Sequence, residues 1–544
     1  MRAFGKIWLP LVLLAAACEP TDAVAPGKSD VIGPVALDDR VAWVDPSGET
    51  AFLLDPAAAD LRPTTAKLGK NAVLAQKRVG ANELLVVTRG QRDEVGQTAE
   101  TARLYLWPAD GVPRAWDLPS RFDQMAQSPD GRFVVLFFST SAGKVGGETL
   151  SDPNQVAVVD LLSNPGPVEP NSLRSLGGVP QSVVFSPRFR LHASDTEERT
   201  LAVFLSGTYV TILDLDHRER GEVSVDLRGS TSQSSFSVAQ VLFDVSAPVS
   251  ATSRPAIYLR GSSSNDVVVV SLGAAEPGTQ TTSNDFRVSA SLLAAGTGPS
   301  DMTLFQSSAG TRLLVVAPGS QELLVIDPAT SRTTNIKLSS QSVANRIVTF
   351  TDPVENEPRA LLVGLPPLAT TALTFVDLKR IDDVLGQALD RHDMVAGASQ
   401  IMAYPAQGVV LVRHSASGSS TQLSLVDLGT RKVSPISSQG YDSLTFVPDG
   451  GPLSATDRLW VTRKQDARVG FVMLSSLRTG DVRLDHSVES VLPVKTVSGT
   501  RLLVVDHGGV GGSITILEAD NPSRQTARSV QGFLFADYLE RGAR

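Results

Sequence analysis

The chain has 544 residues, 57 acidic against 49 basic side chains, and a single cysteine. That length exceeds one small core. A formal charge of −8 with no basic run excludes a nucleic-acid binder, and one cysteine excludes a disulfide framework, so stability must come from packing.

The first segment reads in three parts. Arg2 and Lys6 form a short basic region, Ile7 to Leu14 is apolar apart from Pro10, and Ala15-Ala16-Ala17 supplies small residues before Cys18. The apolar run is far shorter than the roughly 20 residues that span a bilayer, so it reads as an export signal over residues 1–17. It resembles a bacterial lipoprotein signal peptide with its lipobox, although Ala15 stands where Leu is commoner. The resemblance implies that Cys18 is acylated after cleavage and anchors the chain. Three acyl chains, at about 0.8 kcal/mol per buried methylene, hold durably. In that family Asp after the cysteine retains the protein in the inner membrane. Glu19 stands there instead, which points to an outer-membrane lipoprotein facing the periplasm or the cell surface. An ordinary secretory signal also fits Ala15-x-Ala17, and Cys18 would then be a free thiol. Residues 18–36 hold Pro20, Pro26, Gly27, Gly33 and Pro34 and read as a tether. Loss of Arg2 and Lys6 takes the formal charge from −8 to −10.

From residue 37 to 544 short apolar runs recur, and many end in Asp before turn residues. Ala51–Asp55, Val156–Asp160, Val210–Asp214, Leu323–Asp327, Leu373–Asp377, Leu423–Asp427 and Ile514–Glu518 share this frame. Tyr105–Trp107, Val267–Val270 and Gly470–Leu474 fit it loosely. Most follow another apolar run, such as Phe133–Leu136, Leu201–Phe204, Leu313–Val316 or Leu502–Val505. Runs of four or five aliphatic residues between turns are strands buried on both faces. A further strand ends at Gln127-Ser-Pro, Phe185-Ser-Pro and Phe446-Val-Pro. Ser128-Pro-Asp-Gly131 is a turn in which Pro presets φ and Gly accepts positive φ.

About ten such units recur every 50 residues or so, near the period of a β-propeller blade. The pattern resembles the YVTN and lactonase-like propeller repeats, in which an F-SPDG strand pair precedes an apolar run ending in Asp. The expected fold is therefore all-β, a propeller of about eight to ten blades. The units fit one large ring, two rings joined near residues 230–300, or fewer blades with decorating hairpins; one ring is the reading carried forward. Arg380 to His392 places Ile381, Val384, Leu385 and Leu389 at helical spacing, which predicts one short inserted helix. The tail Phe533 to Leu539 is expected to pair with the first blade and close the ring.

Asp160, Asp214, Asp327, Asp377 and Asp427 are the most regular polar residues. An Asp at a strand end caps the following turn through its own backbone, and that structural role is expected here. No histidine pair has metal spacing, and no G-x-S-x-G, P-loop or dinucleotide fingerprint occurs. His414 and Asp506-His507 each follow a buried run, and these three are candidates for facing a central channel. The five tryptophans lack the period of quinoprotein motifs. No catalytic residue, metal ligand or cofactor is assigned. The sequence supports a lipid-anchored, monomeric envelope propeller that binds other envelope proteins without catalysis and binds no nucleic acid. The alternative is a propeller enzyme of lactonase or quinoprotein type with its site in the channel.

Overall fold

The computed structural model describes residues 30–534, apart from 93–97, 140–151, 174–178, 229–235, 251–253, 275–284, 382–387, 416–422, 437–440, 447–452, 455 and 509–510. Ten four-stranded antiparallel sheets follow one another along the chain. Blades 1 to 10 occupy residues 32–67, 72–117, 124–172, 182–226, 238–294, 301–337, 346–393, 398–436, 443–483 and 490–531. Each blade pairs its strands in sequence order. Blade 2 also carries a short two-stranded ribbon, 91–92 with 98–100, between its second and third strands.

The ring is specified by the apolar runs. Second and third strands are buried almost throughout, and alternate side chains enter opposite seams. Val41 and Trp43 face blade 10, whereas Ala42 and Val44 face blade 2. The same division repeats at every seam, so ten hydrophobic clusters lie between ten pairs of neighbouring blades. A run such as Phe133–Phe137 therefore has no solvent face to fill with polar residues. The ten sequence units are the ten third strands, and the preceding runs are the second strands.

First strands are half-buried and touch the first strands of neighbouring blades, so they line the axis. Fourth strands are mostly exposed and form the rim. Every first strand starts at the same end of the ring, here termed the entry end. Second-to-third turns and connections between blades also lie there. First-to-second and third-to-fourth turns lie at the far end. A buried apolar residue follows most fourth strands, including Leu68, Leu118, Leu173, Leu227, Leu338 and Leu484, and seals the seam beneath the connection.

Three expectations change. Leu389–Asp393 is the fourth strand of blade 7 and not part of a helix. The edge left by its third strand needs a partner, and His392 stacks edge-on to Phe375 at 5.3 Å. Residues 382–387 lie outside the described residues. The helical elements that lie wholly within the described residues are single 3-10 turns at Arg218–Arg220 and Pro405–Gln407. The tail closes the ring by packing: Phe533 and Leu534 are buried in the seam between blades 10 and 1, with Phe533 5.4 Å from Trp43. Residues 535–539 lie outside the described residues. Finally, Ile32–Ala36 is the first strand of blade 1, so the propeller begins inside the segment read as tether.

Phe533 is fully buried at the one seam whose two blades come from opposite ends of the chain. Phe533→Ala should cost about 3–5 kcal/mol and lower the urea midpoint. An unchanged midpoint would mean that this ring does not hold the closing seam.

Candidate functional site

All five recurrent aspartates sit at the far end and cap turns. The backbone N–H of Leu162 donates to Asp160 at 3.0 Å, and that of Asp216 to Asp214 at 3.0 Å. Ala329 donates to Asp327, Lys379 to Asp377, and Gly429 and Thr430 to Asp427, between 2.8 and 3.1 Å. In four blades the second carboxylate oxygen takes an arginine from the start of the second strand. Arg132 meets Asp160 at 2.9 Å and Arg199 meets Asp214 at 2.9 Å. Arg312 meets Asp327 at 3.4 Å and Arg359 meets Asp377 at 3.5 Å.

Some of these groups also join blades. Arg132 reaches Asp216 of blade 4, and Arg199 and Arg220 converge on Asp285 of blade 5. Burial pushes Asp214 above the ordinary carboxylate range despite Arg199. At Asp352 burial pulls the same way, but the N–H groups of Glu355 and Val354 and the Arg359 guanidinium hold the carboxyl below that range. These charges are structural fasteners.

His414 ends the second strand of blade 8 and His507 follows that of blade 10, one layer outside the axial wall. His414 is 1% exposed. Its Nδ1 lies 2.8 Å from the Ala396 carbonyl and its Nε2 lies 2.7 Å from Ser424 Oγ, so both ring nitrogens are engaged within the blade. Asp506 accepts from Ser487 Oγ and from the Gly508 N–H, both at 2.8 Å, and so caps its own turn. Glu489 accepts from both the backbone N–H of His507 and its Nδ1, and the ring lies tilted 5.8 Å from Phe533. The three candidates therefore do not converge: His414 is in blade 8, the other two in blade 10.

The first strands that form the axial wall carry many apolar residues, and Val73, Val241, Val348, Ile401 and Leu492 are half-buried against the seams. Charges such as Lys77, Asp301, Arg346 and Lys495 occupy strand ends. Glutamines stitch the wall together. The Gln240 amide binds both the N–H and the carbonyl of Met302 in the next blade, at 3.0 and 2.8 Å. Gln127 likewise takes the Val79 N–H and donates to the Lys77 carbonyl, both at 2.9 Å. Among the described residues no group of three His, Cys, Asp or Glu is placed to hold a metal.

The surface features lie at the two ends. Val79, Val112, Leu162, Val354 and Val497 are exposed large apolar residues in far-end turns, Val112 at 82% and Leu162 at 69%. Arg114 ties two of these turns together by donating to the Leu161 carbonyl at 3.3 Å. Near the far end, Phe243, Leu304 and Phe305 line a cavity of about 390 Å³ between blades 5 and 6. At the entry end of blade 9 an open depression of about 580 Å³ is lined by Arg463, Lys464, Gln465, Asp466, Ala467, Arg468 and Arg483. Sequence reading missed this group because Arg483 joins the others only through strand pairing. The visible signal was the adjacent Arg463-Lys464.

No protein-family model and no curated protein sequence matches the chain. Solved structures are similar to the chain only at low identity. The dihydro-heme d1 dehydrogenase NirN in complex with DHE is 14% identical, with 84% of this chain and 74% of that chain covered and a TM-score of 0.38. A eukaryotic initiation factor is 11% identical over 93% and 96%, with a TM-score of 0.40. Apo AztD from Citrobacter koseri is 12% identical over 71% and 92%, with a TM-score of 0.29.

Burial lowers the His414 imidazole below its ordinary range. The unfolded chain therefore binds a proton at a higher pH than the folded chain does. The contribution of the neutral ring is complete above the ordinary imidazole pKa and declines as pH falls through it. Urea unfolding over that range should show acid destabilisation that shrinks in His414→Gln. An equal slope in both proteins would assign the acid sensitivity elsewhere.

Proposed function

We propose that this protein is a lipid-anchored propeller of the cell envelope whose far end binds another envelope protein, without catalysis. The observation that carries the reading is the placement of exposed apolar side chains. Of the seven large hydrophobic residues exposed among the described residues, five lie in far-end turns. Scattered exposed apolar residues need no explanation, but their bias to one end does. Val79, Val112, Leu162 and Val497 belong to blades 2, 3 and 10, an arc about the ring closure.

The fasteners on the same end support a docking role. Arg132, Arg199 and Arg359 hold the far-end turns, so little order is lost when a partner binds. The chain enters blade 1 at Ile32 from the opposite end. An acyl anchor at Cys18 would then present the apolar arc away from the bilayer. Cys18 itself lies outside the described residues.

Two measurements test this. Intact mass of membrane-extracted protein should show a chain that starts at Cys18 and carries acyl chains; an unmodified thiol there removes the anchor. Crosslinking in intact cells should recover a defined partner that is lost from Val112→Asp/Leu162→Asp. Both positions are exposed, so the double variant should keep its stability within about 0.5 kcal/mol per site. A folded double variant that crosslinks as the parent does would rule out this end as the docking surface.

A further inference from the structure

We propose that the basic depression at the entry end of blade 9 binds the phosphate group of an anionic lipid headgroup, the choice of a lipid source resting on the anchored reading above. Four cations and one carboxylate line its roughly 580 Å³. Arg468 opens the third strand and Arg483 closes the fourth, and the two are direct cross-strand partners. Like charges so placed destabilise a sheet, and a bound anion would relieve that cost. Asp466 takes up the guanidinium of Arg468 through two bonds, at 3.2 and 3.0 Å. Among the described residues Arg463, Lys464 and Arg483 have no carboxylate within ion-pair distance.

Of the acids nearby, Asp442 accepts from the backbone N–H of Lys464 at 2.8 Å and Asp485 pairs with Arg524, while Asp481 adds a negative charge that acts on Arg468. The lining is also fixed in shape. The Asp466 N–H closes the turn on the Arg463 carbonyl at 3.1 Å, and Gln465 sits at φ +64. Val488 and Leu484 bond back to Asp466 and Ala467, so the connection to blade 10 braces the hairpin. An oxyanion with several acceptor oxygens suits a guanidinium fork beside an ammonium group.

The entry end is where the described chain begins. The dozen residues from Cys18 to Asp30 reach at most about 40 Å, so an anchored chain keeps this end near the bilayer. The mature chain is acidic as a whole and is repelled by an anionic surface. Blade 9 presents a local exception on the side that would face the lipid.

The test uses the full mature chain as Cys18→Ser, which lacks the anchor, with vesicles of equal parts phosphatidylglycerol and phosphatidylcholine. At low ionic strength the protein should co-sediment with them. Arg463→Gln/Lys464→Gln/Arg483→Gln should weaken that partition by about a hundredfold, since each cation at an anionic surface contributes about fivefold. Its thermal midpoint should match the parent, and Lys432→Gln at the far end should leave partition unchanged. Calorimetry with inorganic phosphate forms the second arm. Saturable phosphate binding that the triple variant loses, without vesicle binding, upholds the oxyanion site and overturns its membrane source. Absence of both, or equal binding by a folded triple variant, overturns the proposal. None of these outcomes bears on partner capture at the far end.

Discussion

Each blade depends on its neighbours to cover both faces of its second and third strands. A sheet buried on two sides cannot stand alone, because an uncovered face would expose a row such as Leu84, Val86, Tyr105 and Trp107 to water. Fully burying one large aliphatic side chain contributes about 1.5–3 kcal/mol, and every seam gathers at least eight such residues or their aromatic equivalents. The favourable packing is complete only when blade 10 meets blade 1. Phe533 and Leu534 complete it, against Trp43 and Phe52. No strand is exchanged at closure: blade 1 takes all four strands from the start of the chain and blade 10 takes its four from the end.

Charged groups are then confined to ends and edges, and their roles follow from that confinement. At the far end, aspartates satisfy turn N–H groups with one oxygen and hold arginines with the other. A desolvated pair gains little net stability, and its clearer effect is to fix which turn lies beside which. Arg199 between Asp195, Asp214 and Asp285 joins blades 4 and 5 in this way. On the axis, glutamine amides replace the backbone hydrogen bonds that neighbouring first strands do not make with each other. Such a framework fixes the turns and loops at both ends of the ring.

The two ends differ in what they offer a partner. Far-end turns expose isolated valines and a leucine above fastened charges. The entry end carries the unpaired cations of blade 9 and receives the chain from its N-terminal side. The chain thus carries an arc of exposed apolar residues at one end and a basic depression at the other.

The amino-acid sequence by itself determined the strand content and the repeat, because aliphatic runs ending in Asp and turns such as Ser128-Pro-Asp-Gly131 are local signals. It also determined that the recurrent aspartates are turn caps, since an Asx turn needs only its own backbone. Tertiary structure decided the blade number, because spacing cannot say whether the tenth unit packs on the first. It decided that Leu389–Asp393 is a strand, where the open edge of blade 7 outweighs helical spacing. His414 and His507 followed buried runs in sequence, yet the first strand of each blade stands between them and the axis. The pairing of Arg468 with Arg483, fifteen residues apart, exists only through the hairpin register. Charge convergence of that kind depends on which residues face each other, and only the folded sheet sets that.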